Sequence, residues 1–194
     1  MNSPIRLIPP AVQFHHSWLE SLAEWGTPDQ DGASTFLADE FSLDLEQPSG
    51  FAAWVKLLND FARDDFAVPE GFVHQTSFWI IEGQQYLGAI SLRHTLGNEY
   101  LELAGGHIGY GVRPSARRRG LAAMALRFTL DEAKLRGIPE AIVTCRDSNI
   151  GSARTIESCG GALVRKDPPE LFPAQFGIAE AMRRYRFDLT DQLR

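Results

Sequence analysis

The spacing of apolar positions changes along the chain. Ile5-Arg6-Leu7-Ile8 alternates and stops at Pro9-Pro10, which predicts a short edge strand. Over 11–25, Val12, Trp18, Leu19 and Leu22 fall near one face of a helix. A long connection follows over 26–49, punctuated by Gly26, Pro28, Gly32 and Pro48. Helical spacing returns from Phe51 to Phe61, where Trp54, Val55, Leu58 and Phe61 share a side. From Gln75 the pattern is that of strands. Ser77–Ile81 and Tyr86–Arg93 read as a hairpin around the turn Glu82–Gln85. A further strand over His107–Val112 is stopped by Pro114.

The clearest helix runs from Gly120 to Arg136, with Leu121, Met124, Ala125, Phe128 and Leu135 largely on one side. Lys134 and Arg136 suit its C-terminal dipole, and Gly137 with Pro139 ends it. Ala141–Cys145 is an apolar run that reads as a buried strand. Asp147, Ser148 and Asn149 offer N-caps for a helix over about 150–159, ended by Gly160-Gly161. Leu163–Arg165 and Met182–Leu189 are the last strands. The order predicts an α/β (α+β) chain with a mixed sheet flanked by helices.

Composition narrows the class. At 194 residues the chain suffices for one domain with a real core. No stretch approaches the roughly 20 apolar residues of a membrane span. The start, Met1-Asn2-Ser3-Pro4-Ile5-Arg6, lacks the basic-then-apolar pattern of a secretory signal. Two cysteines, Cys145 and Cys159, make neither a disulfide framework nor a metal spacing, and read as free thiols of a reducing cytoplasm. A net charge of −6 argues against a general nucleic-acid binder. Residues 26–70 hold ten carboxylates against Lys56 and Arg63. Acidic stretches of this kind are usually solubilising, but this one also suits approach of a cationic ligand.

One turn concentrates the opposite charge. Val112-Arg113-Pro114 leads into Arg117-Arg118-Arg119-Gly120-Leu121-Ala122-Ala123, where a helix starts. A helix N-terminus presents unpaired N–H groups and about half a positive charge, so it binds anions. Gly120 allows close approach of the backbone, and the arginines add charge-assisted contacts. A Walker loop is excluded because Leu121, not Lys, follows Gly120; a dinucleotide fingerprint would need three spaced glycines.

Arg117-Arg118-Arg119-Gly120-Leu121-Ala122 resembles the Gln/Arg-x-x-Gly-x-Gly/Ala signature of the GNAT superfamily of acyl-CoA N-acyltransferases. Asn149-Ile150-Gly151-Ser152, with Glu157-Ser158-Cys159-Gly160 after it, resembles the family's second helix. His107-Ile108-Gly109-Tyr110 is similar to the Glu-Ile-Gly-Tyr of its ribosomal-protein and antibiotic N-acetyltransferase branches. The resemblance is strong over about 75–165 and weak over 26–72, an acidic helical insertion longer than the family norm. It implies one domain over 1–194, with a mostly antiparallel sheet of six to seven strands splayed between the fourth and fifth. It implies acetyl-CoA as co-substrate, an amine as acceptor, no metal, and a homodimer as the candidate assembly.

On that resemblance the pyrophosphate sits on the N–H groups of Arg118, Arg119, Gly120, Leu121, Ala122 and Ala123, and pantetheine lies beside the strand ending at Val112. Asn149 and Ser152 face the cofactor, although an N-cap role already explains Asn149. His107 is the candidate general base, with Glu102 as runner-up. The tyrosine that often protonates the leaving thiolate has no counterpart at Ile156-Glu157-Ser158-Cys159; Tyr110 and Tyr185 are the substitutes. Cys159, near a helix C-terminus, gains no activation from the dipole and reads as packing. Trp18, Trp54, Phe61, Phe78 and Trp79 read as core. A non-catalytic acyl-CoA sensor and a protein N-acetyltransferase are the alternative functions.

Overall fold

A computed structural model describes residues 3–27 and 30–190, so Met1, Asn2, Pro28 and the carboxylate Asp29 lie outside the described residues. Its centre is a seven-stranded sheet in the order β1-β2-β3-β4-β5-β7-β6. The strands are β1 (Ile5–Ile8), β2 (Gln75–Glu82), β3 (Gln85–Arg93), β4 (Ile108–Val112), β5 (Glu140–Arg146), β6 (Ala162–Asp167) and β7 (Met182–Asp188). Every neighbouring pair is antiparallel except β4 and β5. That parallel pair meets only at Ile108↔Val143, beyond which the two strands part.

Strand alternation gives the sheet two apolar faces. Phe78, Ile80, Ile90 and Leu92 point to one face and pack with Ile108, Val143 and the helices α4 (Leu121–Leu135) and α5 (Ile150–Ser158). Trp79, Ile81, Tyr86 and Ala89 point to the other and meet α1 (His15–Trp25) and α3 (Pro48–Asp60). Trp18, Trp54, Trp79 and Phe51 form a ring cluster there, with centroids 5.5–5.9 Å apart. Such rings bury large areas, and truncating one to alanine typically costs about 3–5 kcal/mol.

The structure departs from the sequence reading in four places. The first helix begins at His15 after a 3-10 turn over Val12–Phe14, which buries Phe14 and leaves Val12 exposed. The connection over 26–49 contains a short helix, α2 (Phe36–Glu40), too brief for its period to show. Pro48 opens α3 as its first residue, because a helix start needs no N–H there. A single π-turn over Leu101–Gly105 precedes β4.

Candidate active site

The candidate site lies where β4 and β5 part. The N–H of Arg113 goes to Leu87 O on β3. By the alternation of a strand, the N–H and C=O groups of Val112 and Tyr110 face β5, across the gap. Tyr110 spans the gap with its side chain. Its hydroxyl lies 2.8 Å from Ser152 Oγ and donates to Ser152 O at 3.2 Å. Burial keeps that phenol protonated, pushing its pKa well above the ordinary value. Asn149 caps α5, its Oδ1 accepting from Ser152 N at 3.0 Å.

At the end of β4 the chain turns through a 3-10 turn, Pro114–Ala116, into α4. Arg118 has φ 60° and Gly120 has φ 77°. Left-handed residues ahead of a helix's first turn are the backbone pattern of an anion-binding nest, and the N–H groups of a first turn have no partner within their helix. A Cβ on Gly120 would point into open space, so glycine is required there by the backbone conformation and not by crowding within the protein. Glu24 of α1 holds the turn from below. It accepts from Arg113 Nε at 2.7 Å and from Ser115 N and Oγ at 3.0 Å each. Burial works to raise the Glu24 pKa, but the bonds from Ser115 and Arg113 outweigh it and hold the carboxyl below its ordinary value.

The three arginines of the turn separate in role. Arg117 donates from Nε to Val112 O at 3.1 Å and lays its guanidinium 4.8 Å from the ring centroid of Trp25. Arg119 pairs with Glu82 at 2.9 Å. Among the described residues, Arg118 alone of the three makes no hydrogen bond or ion pair.

His107, the candidate general base, sits where β4 meets β5: its Nδ1 accepts the Ile142 N–H at 3.0 Å, and its backbone N–H donates to Ile142 O at 2.7 Å. A neutral ring with Nδ1 accepting carries its proton on Nε2 and has no lone pair left. Burial, with Arg184 and Arg93 nearby, lowers its pKa to about 4. His107 is thus a clasp between β4 and β5 at the point where they last touch. Glu102 lies in the π-turn with its side chain exposed and its carbonyl accepting from Arg184 at 2.6 Å.

The α1/α3 face of β4 carries a second feature. Gly32 and Gly111 let the 30–35 loop lie directly on the strand: a Cβ on Gly111 would stand 2.5 Å from Asp31 O. Beside that contact is a cavity of about 450 Å³, lined by the loop, by Phe36 and Phe72, by Tyr100, and by Arg93 and Arg146. Sequence reasoning missed Arg93 and Arg146, which lie on separate strands and belong to no motif. Of the described carboxylates in 26–70, Asp31 alone lines this cavity. Others pair on the surface, Asp60 with Lys56 and Asp65 with Arg63. Among the described residues no cluster of His, Cys, Asp or Glu could hold a metal, and no helix is long and apolar enough to cross a membrane.

The family described as acetyltransferase (GNAT) domain matches residues 19–162. No curated protein matches. Among solved structures, the microcin C7 self-immunity acetyltransferase in complex with acetyl-CoA and AMP superposes with TM-score 0.67 at 14% identity, covering 95% of this chain and 92% of that one. An N-acetyltransferase from Staphylococcus aureus Mu50 gives 0.63 at 14%, over 97% and 100%. The ribosomal-protein-S5-alanine acetyltransferase from Vibrio fischeri gives 0.62 at 16%, over 96% and 93%.

Proposed function

This chain belongs to the GNAT acetyltransferases, and on that premise we propose that it transfers an acetyl group from acetyl-CoA to a primary amine by direct attack. The observation that carries the reading is the parting of β4 from β5 next to the left-handed turn, Arg118 and Gly120, that opens α4. That turn holds the pyrophosphate through the N–H groups from Arg118 to Ala123, with the Arg118 side chain adding charge. Pantetheine enters the gap, pairs with the Val112 edge of β4 and runs past Asn149 and Ser152. The two free thiols suit a cytoplasmic enzyme.

The acceptor approaches from the cavity on the opposite face. Its nitrogen attacks the thioester carbonyl carbon, the C–N bond forms, the C–S bond breaks, and the sulfur leaves with the electron pair. Backbone N–H groups of Tyr110 and Val112 face the developing oxyanion. The Tyr110 hydroxyl, kept protonated by its burial, gives its proton to the departing thiolate and is reprotonated from water, which takes up the ammonium proton. The ammonium proton leaves through the cavity to water, with Asp31 the carboxylate on its wall. His107 serves as a positioning residue that fixes the start of the gap.

The test is a thiol-release assay with acetyl-CoA against a panel of amines, amino acids and peptides. Release dependent on an amine supports the proposal. Acetyl-CoA binding with no release against any acceptor would leave the chain a binding module.

A further inference from the structure

We propose that the acceptor carries an anionic oxygen group as well as its amine, and that Arg93 and Arg146 bind that group in the cavity on the α1/α3 face. The proposal rests on the reading of the chain as an N-acetyltransferase.

The cavity wall is rich in donors. Arg93 is half-buried, and among the described residues no hydrogen bond or ion pair reaches its guanidinium or that of Arg146. Burial pushes the Arg93 pKa below its ordinary value, opposed by Tyr100 and Asp31. A guanidinium has five N–H donors and no acceptor, and taking it from water without partners is costly. Three further polar atoms on the wall, Gln30 Nε2, Gln75 Nε2 and Ser34 Oγ, are buried and meet no partner. Two cations and one carboxylate, Asp31, give the wall an excess of positive charge. A ligand satisfies such a wall by bringing acceptor oxygens and negative charge, as a carboxylate or phosphate does against arginine forks.

The position is suited to an acceptor and not to the cofactor. No residue of the 117–123 nest lines the cavity. The Arg93 guanidinium lies along β4, with Nη1 3.1 Å from where a Cβ on Gly109 would stand. An anionic group held there sets the rest of the ligand beside the strand that edges the thioester gap. The proposal adds an anionic group to the cationic amine expected from the sequence; of the described carboxylates in 26–70, only Asp31 lines the wall.

The experiment compares matched acceptors on the full chain. One set is an α-amino acid, its carboxamide and its decarboxylated amine. The other is an aminoalkyl phosphate and the corresponding amino alcohol. Thiol release gives kcat and KM, and calorimetry without acetyl-CoA gives acceptor affinity. The acid or the phosphate should exceed its neutral analogue by about tenfold or more, since a charge-assisted pair is worth about 1.5–3 kcal/mol. Whichever set shows the preference identifies carboxylate or phosphate as the source. Arg93→Gln and Arg146→Gln should each erode the preference through KM while leaving acetyl-CoA affinity intact. If Arg93→Gln does not fold, the exposed Arg146→Gln and the conservative Arg93→Lys carry the same comparison. Neutral amines equal to or better than both anionic sets, or a preference that survives both substitutions, would overturn the proposal. Failure of acetyl-CoA to bind or release thiol would instead remove the N-acetyltransferase reading, and the calorimetric comparison would still decide whether the cavity selects anions.

Discussion

The Tyr110 hydroxyl stands 2.8 Å from the Ser152 hydroxyl, joining β4 to the first turn of α5 across the gap where β4 and β5 part. Among the described residues it is the tyrosine that reaches across this gap, and burial keeps its hydroxyl protonated. Tyr110→Phe should lower kcat by about 10²-fold, the lower end for a positioned acid, because a thiol of pKa about 8.5 already leaves readily. Acetyl-CoA affinity should not change. Unaltered kcat in steady-state assays would assign Tyr110 to packing alone.

His107→Ala removes the acceptor of the buried Ile142 N–H. An orphaned buried donor costs about 1–3 kcal/mol, which urea denaturation reads directly. Because the ring has no lone pair to offer, the acidic limb of the pH–rate profile should keep its midpoint. A shifted or abolished limb in this variant would restore the residue as the base.

Stability should fall on mild acidification. Burial lowers His107 and His94 from 6.5 to about 4 in the folded chain. Between these values the unfolded state binds more protons, so stability drops as pH falls from about 6.5 to about 4 and is flat with respect to these groups above that window. Thermal midpoints measured across pH 4–7 should slope accordingly, and His107→Gln should flatten the slope.

Within the signature turn, Arg118→Gln should weaken acetyl-CoA binding by about tenfold, the effect of losing one charge-assisted contact. Arg119→Gln should change it far less, since that side chain is engaged by Glu82. Equal losses in calorimetry would mean that Arg119 exchanges its partner for phosphate.

The sheet and the helices after Gln75 were legible because their patterns are local: Pro114 ends β4, Gly120 opens α4 and Asn149 caps α5. The backbone turn into α4 was legible for the same reason. The surroundings of His107 were not legible: its bond to Ile142 joins residues 35 positions apart and leaves no trace in either segment. Arg93 and Arg146 were missed because a shared cavity is made by the fold, and neither side chain stands in a motif. The acidic run over 26–70 suggested a cation site, but charge along the sequence says little about which carboxylates turn inward.

The most direct test of the account is calorimetric titration of acetyl-CoA into wild-type protein and Gly120→Val. Gly120 holds a left-handed φ of 77° at the start of α4. A β-branched residue resists that conformation by about 1–2 kcal/mol and places its side chain on the open face where phosphate would lie. The account predicts a loss of affinity of about tenfold or more in a variant whose circular dichroism is unchanged. Equal affinity in the two proteins would contradict the placement of the pyrophosphate on the turn from Arg117 to Ala123.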